Sequence, residues 1–243
     1  MRTLGIVATA VAVSLALGAC ALASTYSVNS TADAVDQTPG NDLCATADGK
    51  CTLRAAVQEA NAHAGPDAIS LPPGVFVLGL TTAGEELAAT GDLDVTEELT
   101  VNGAGQDASI IDGFRADRIF HVFGAGFTLR DVTLRNGLVG GGVGGAVFQE
   151  AIAPMTIERA IFTLNSAPAG GAILQNDGPL TIVDSTFETN VGSTGAGVLV
   201  GGTGAVSITN STFTSNSSGP GVAAGLLLGN SGGAATVQGC TFS

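Results

Sequence analysis

The ionisable residues able to do chemistry gather in the middle of this chain: Asp92, Asp94, Glu97, Glu98, Asp112, Arg115, Asp117, Arg118, His121, Arg130, Asp131, Arg135, Glu158 and Arg159. Carboxylates can hold Ca²⁺ through oxygen ligands, and an arginine beside them can take the proton α to a uronate carboxylate, so polysaccharide elimination is open to this set. Arg118, Asp131 and Arg159 are the candidates for a catalytic or ligand-contact role. Asp92-x-Asp94 with Glu97 and Glu98 suits Ca²⁺, but the spacing of an EF-hand loop is missing and a solvated acidic edge accounts for these residues. Ca²⁺ is therefore the one cation in view, and no cofactor is expected. After Arg159 the ionisable acids and bases are Asp177, Asp184 and Glu188 alone, so the last part of the chain cannot host acid/base chemistry.

The elements that position these residues show in a repeat. Residues 155–162, 180–187 and 206–213 say nearly the same thing: Met155-Thr156-Ile157 becomes Leu180-Thr181-Ile182 and Val206-Ser207-Ile208, and each unit ends on a Phe, at 162, 187 and 213. Asn165, Asn190 and Asn216 follow three residues later, and Gly/Ala-rich apolar runs come next. Self-similarity at a period of about 25 residues marks a solenoid. Apolar residues at every second position make its unit a set of short strands. The register extends to 127–134 and 235–242, so the expected fold is all-β, a parallel β-helix.

Stacking the copies gives columns with consistent chemistry. Leu129, Ile157, Ile182, Ile208 and Val237 point inward, as do Leu134, Phe162, Phe187, Phe213 and Phe242, with the Phe rings forming a ladder. Burial of one such ring contributes roughly 1.5–3 kcal/mol. Thr133 and the Thr of later copies belong to the wet face. Asn165, Asn190 and Asn216 suit left-handed turn positions whose amides stack from coil to coil. Arg130 lies over Glu158, and Asp131 lies over Arg159, which lies over Asp184. These charges pair along the stack as an alternating ladder, each pair worth about 0.2–1 kcal/mol, and account for themselves without catalysis. His121 alternates with Phe120 and Val122, so it points outward, where an exposed structural role is expected.

With 243 residues, 36 of them Gly, 45% hydrophobic and 12% charged, the chain can bury a substantial core. A net charge of −13 makes nucleic acid and anionic membrane surfaces poor partners. Sugar clefts favour Trp and Tyr as stacking platforms, and the chain has no Trp and one Tyr, Tyr26.

Residues 1–23 read as a signal peptide: Arg2, an apolar run, then Ala21-Leu22-Ala23 as the small-x-small cleavage pattern. Leu17-Gly18-Ala19-Cys20 also resembles a lipobox, which would leave Cys20 as a lipidated N-terminus. Residues 24–50 read as a turn-rich loop. Cys44 and Cys51 close its end, and in an exported protein two Cys at this spacing form a small disulfide loop rather than a metal site. From Thr52, a plausible N-cap, Leu53, Ala56, Val57, Ala60 and Ala64 share one face of a helix that Gly65 would stop. Such a helix covers the open end of the first coil, with His63 solvated at its last turn. The domains are then 1–23, signal peptide; 24–70, loop, disulfide and capping helix; and 71–243, β-helix.

Cys51-Thr52-Leu53-Arg54-Ala55-Ala56-Val57-Gln58-Glu59-Ala60-Asn61, followed by Asp67-Ala68-Ile69-Ser70-Leu71-Pro72-Pro73-Gly74, resembles the CSLREA-type N-terminal motif of exported bacterial right-handed parallel β-helix proteins. The likeness covers the first third and implies a pectin-lyase-like fold capped by this helix. Ala55 stands where the motif has Glu, so the capping box from Thr52 is half lost. Phe162-Thr163-Leu164-Asn165 and its copies look like the FxxN motif, and Gly144-Gly145-Ala146-Val147 and Gly170-Gly171-Ala172-Ile173 like the GGA[ILV] motif, of chlamydial polymorphic outer membrane proteins, which are surface adhesins. Tight β-helix turns need the same residues, so this likeness speaks more for fold than for adhesion.

The expectation is an exported, secreted or surface-associated scaffold, adhesin-like or glycan-binding and non-catalytic, meeting a glycan or a host or cell-surface ligand. The alternative is a polysaccharide lyase or glycoside hydrolase with its site between Asp112 and Arg159. Cys240 should be a free, inward-facing thiol. The last rung, ending at Ser243, carries no polar cap, which suggests further sequence or self-association at that end.

Overall fold

A computed structural model describes residues 22–82, 84–124, 126–229 and 232–243; the lipobox-like Cys20 and nearly all of the expected signal peptide lie outside them. Among the described residues, one helix and three parallel sheets form a β-solenoid. The first sheet has eight strands: Thr25–Ser27, Asp67–Ser70, Leu99–Asn102, Phe127–Arg130, Met155–Glu158, Leu180–Val183, Val206–Thr209 and Ala235–Gln238. The second has seven: Gly74–Val77, Ser109–Asp112, Thr133–Arg135, Ile161–Thr163, Thr186–Glu188, Thr212–Thr214 and Thr241–Phe242. The third has six: Leu93–Val95, Phe120–Val122, Val147–Ile152, Ile173–Asp177, Val198–Val200 and Leu226–Leu228.

Register follows the repeat. Ile157 pairs with Leu129 and Ile182, and Ile182 with Ile208, so one apolar column runs through the core. The Phe column stacks ring on ring, with centroids 4.8 Å apart for Phe162–Phe187 and 4.9 Å for Phe187–Phe213 and Phe213–Phe242, the planes within 6° of parallel. Asn165, Asn190 and Asn216 form a second ladder. The Asn165 amide donates to Asn190 Oδ1 at 3.1 Å and to the Leu134 carbonyl, and the Asn190 amide donates to Asn216 Oδ1 at 3.0 Å and to the Phe162 carbonyl. The left-handed backbone positions are not these asparagines but the residues before them: Leu164, Thr189 and Ser215, with φ of 58°, 52° and 54°. The turn is made one residue earlier so that each Asn side chain folds inward to serve backbone groups. The Gly-Gly-Ala corners are steric: a Cβ on Gly171 would run into the carbonyl oxygens of Ala196 and Val191. Thr133 is buried rather than wet, its hydroxyl donating to the Gln106 carbonyl at 2.6 Å.

The N-terminal end departs furthest from expectation. Residues 24–50 are not only loop, since Thr25–Ser27 pairs with Asp67–Ser70 and extends the first sheet by a strand. Cys44 and Cys51 form a disulfide, which on a loop-entropy account contributes about 2–3 kcal/mol. The helix, Leu53–Ala62, begins at Thr52, whose Oγ accepts from the Ala55 N–H at 3.1 Å. It stops at His63, two residues before Gly65, because His63 turns extended and its Nδ1 meets both Asp67 carboxylate oxygens at 3.1 Å. His63 is thus a half-buried hydrogen-bond partner of Asp67 rather than a solvated residue.

This helix is not a half-wet lid: every residue from Leu53 to Ala60 is buried, including Arg54 and Glu59. It lies between the first rung and two covering segments, and Arg54 binds all three together. Its Nε and Nη2 meet Asp33 at 2.6 and 3.2 Å, Nη1 donates to the carbonyls of Ala88 and Asp92 at 3.1 and 3.3 Å, and Nη2 donates to the Gly91 carbonyl at 2.9 Å. The guanidinium's N–H groups are spread over the N-terminal segment and residues 88–92, which only a planar fork can do.

Phe187→Ala is expected to cost about 3–5 kcal/mol in urea unfolding, and the half-exposed Phe242→Ala clearly less; equal effects would show that the ladder does not carry the core. Arg54→Ala leaves the buried Asp33 carboxylate without its counter-charge, held by the Leu80 N–H, and should cost about 3–5 kcal/mol, with Arg54→Lys recovering little of it. Full recovery by lysine in the same assay would show that charge alone, not the fork, holds the cap.

Candidate functional site

The candidate residues fall in two places. Asp131 and Arg159 occupy the corner between the first and second sheets, where both adopt left-handed backbone (φ 55° and 48°) that turns their side chains outward. Arg159 Nε and Nη2 donate to the two Asp131 carboxylate oxygens at 2.7 and 2.9 Å, a bidentate pair, and its Nη1 lies 3.5 Å from Glu158. Arg130 meets Glu158 at 2.9 Å. The Arg159 hydrogen bonds hold the Asp131 carboxyl below its ordinary value. Asp131, and with it Asp184 on the following rung, raises the Arg159 guanidinium. With Gln106 and Asp107, the side chains of Asp131, Arg159 and Asp184 line an open groove of about 500 Å³.

Arg118 lies at the other place, on the outer side of the third sheet. Its Nε donates to Asp92 at 2.8 Å, its Nη1 donates to the Val143 carbonyl at 2.8 Å, and the guanidinium sits 5.3 Å over the Phe148 ring. So placed, it is a packed structural arginine. The neighbouring Asp92 and Asp94 are buried, not members of a solvated edge; Glu98 is exposed and Glu97 intermediate. Burial pushes the Asp92 carboxyl up to about 6 against the pull of Arg118. Burial likewise takes Asp94 to about 7, offset in part by the Ala88 N–H, which donates to Oδ2 at 2.8 Å.

His121 was expected on the outside of the strand and exposed. It does point away from the core, since Phe120 and Val122 are fully buried inside, yet it is 8% exposed. Its ring is tilted against Phe123 at 3.8 Å between centroids and stacked on Phe148 at 5.0 Å. Nε2 meets Glu150 Oε2 at 3.1 Å, while Nδ1 lies 3.6 Å from Glu86 Oε2 and 3.9 Å from Asp94 Oδ1. Burial, then Arg118, drives the imidazole down to about 4, so it is neutral at physiological pH. Sequence reasoning set His121 aside because alternation tells inside from outside, not bare from covered. The outward column Asp94, His121, Phe148, Leu174 was readable in register and places an imidazole between a carboxylate and a phenyl ring. Glu86 and Glu150 had no such signal.

Cys240 is a free thiol of intermediate exposure whose Sγ contacts the Gln238 and Ile208 carbonyls. Among the described residues no helix is long and apolar enough to cross a membrane. Comparison of the chain with protein-family models, with curated proteins and with solved structures finds no match.

The Asp131–Arg159 pair is half-exposed, so a double-mutant cycle should give a coupling of about 0.5–1 kcal/mol. Because the Asp131 carboxyl is lowered on folding, this stabilisation is complete above its ordinary range near pH ~4 and is lost as pH falls below it. Coupling measured at neutral pH should vanish in acid; coupling that persists there would contradict the pairing.

Proposed function

We propose that the chain is an exported, secreted or surface-associated β-helix scaffold that binds a glycan or cell-surface ligand along its stacked face and performs no chemistry on it. The supporting observation is the state of the three catalytic candidates. Arg118 is occupied by Asp92, a carbonyl and an aromatic face, and Asp131 and Arg159 occupy one another. An arginine that serves as a base must give up its proton, and carboxylate pairing makes that harder.

The same pairing makes the corner groove a good contact surface. Asp131 fixes the Arg159 fork, so its remaining donor edge is pre-organised, and Asp107, Asp184 and Gln106 supply acceptors and an amide within the same open groove. Alternating donors and acceptors repeated from rung to rung match the hydroxyls of an extended polar chain. Cys44–Cys51 supports an oxidising compartment, in agreement with the apolar N-terminal run and its cleavage pattern.

A panel of neutral and acidic polysaccharides, assayed for binding and for release of reducing or unsaturated ends with and without Ca²⁺, tests this reading. The expected outcome is retention of at least one polysaccharide, weakened about tenfold or more by Arg159→Ala, with no product release. Product release would establish the enzyme alternative; binding indifferent to Arg159→Ala would remove the groove.

A further inference from the structure

The seam between the cap and the third sheet holds an arrangement that a scaffold does not require. Asp94 and His121 are register partners on adjacent rungs, both facing outward. Glu86 comes from the segment above them, which Arg54 fixes through the Ala88 and Gly91 carbonyls. One donor atom from each of Glu86, Asp94 and His121 falls within 4.8 Å of the others.

The hydrogen bonds decide what these atoms are. Glu150 Oε2, 3.1 Å from His121 Nε2, is an acceptor, so Nε2 carries the proton and donates it. Nδ1 is then a bare lone pair, and it faces two carboxylate oxygens at 3.6 and 3.9 Å. Those separations are too long for hydrogen bonds, so no hydrogen bond joins His121 Nδ1 to either carboxylate. Asp94 Oδ1 is fully buried and has no hydrogen-bond partner, although Oδ2 of the same carboxylate accepts from Ala88. Nearly every buried polar atom has a partner, and this one has none within hydrogen-bond reach.

We propose that His121 Nδ1, Asp94 Oδ1 and Glu86 Oε2 form a binding site for a divalent transition-metal ion of zinc type. One imidazole with two carboxylates suits Zn²⁺ and its first-row neighbours, whereas Ca²⁺ and Mg²⁺ prefer oxygen alone. On a tetrahedral ion with bonds of about 2.1 Å, donor atoms sit about 3.4 Å apart, so small movements close the site. Glu86, whose side chain is 61% exposed, is free to make them. Glu150 on His121 and the Ala88 N–H on Asp94 are the outer partners that orient such ligands. Glu86, Asp92, Asp94 and Glu150 face the cations Arg118 and Arg54, of which Arg54 is paired with Asp33 and Arg118 with Asp92, so where the carboxyls are ionised the local field favours a dication. The exposed side of Glu86 leaves a further coordination position to water.

The test uses the full chain, stripped with a chelator and titrated with ZnCl₂, MnCl₂ and CaCl₂ by calorimetry, with nitrogen-15 NMR of the imidazole in parallel. One Zn²⁺ per chain is expected, with Ca²⁺ about a hundredfold weaker or more and a shift of the His121 Nδ1 resonance. Glu86→Gln, at an exposed position that leaves folding intact, should weaken Zn²⁺ at least tenfold, as should Glu150→Gln through loss of ring orientation. His121→Gln should abolish it, circular dichroism confirming the fold. Absence of Zn²⁺ binding, Ca²⁺ binding of equal strength, or Zn²⁺ binding untouched by Glu86→Gln would overturn the site. None of these outcomes bears on the polysaccharide groove, which lies at a different corner.

Discussion

In a parallel solenoid each side chain lies about 4.8 Å from its counterpart on the next rung, and this spacing governs what every column can hold. Phe rings tolerate it because parallel rings with centroids 4.8–4.9 Å apart still stack. Asn tolerates it because an amide carries donor and acceptor at once, so each can give to one neighbour and receive from the other. A charge cannot follow its own kind, and here Arg159 lies over Asp131 and Arg130 beside Glu158. The fold, the surface pairs and the register of the candidate sites follow from this one constraint.

The constraint also creates a difficulty at the first rung, where there is no neighbour below. The chain answers with a helix whose residues Leu53–Ala60 are all buried and whose Arg54 is wholly inside the structure. A buried guanidinium is costly unless its donors are filled, and here one carboxylate and three carbonyls fill them. The result is a closed end in which the segment carrying Glu86 is fixed relative to the sheet.

What was legible in the residues was what repeats. Ile157, Ile182 and Ile208, the Phe column and the Arg130–Glu158 pair could be placed because three copies fixed their register, and the Cys44–Cys51 bridge because of its short spacing. What escaped was what occurs once. Thr25–Ser27 is three residues long and becomes a strand only because Asp67–Ser70 offers an edge. Arg54 carried no signal of its own, and its burial depends on segments far away in sequence. His121 was assigned to the correct side of its strand and Asp94 to a solvated edge, and nothing local said that residues 84–92 would close over them. The shift of the left-handed turn from Asn165 to Leu164 is smaller in kind: both readings put a turn there, and the inward amide ladder selects between them.

This division bears on where function can reside. A strict repeat places like over like, so its columns make ladders and extended faces, and from Thr189 to Ser243 there is no Asp, Glu, Lys, Arg or His to make anything else. Convergence of unlike donors requires a break in the repeat. The seam at residues 84–94 is such a break: a non-repeating segment brings Glu86 down on a column whose first members are a carboxylate and an imidazole, before that column becomes Phe148 and Leu174. Rigid rungs hold two of these side chains, and the cap holds the segment that carries the third. The closed end that stabilises the first coil is therefore the part of the molecule able to hold a compact polar site.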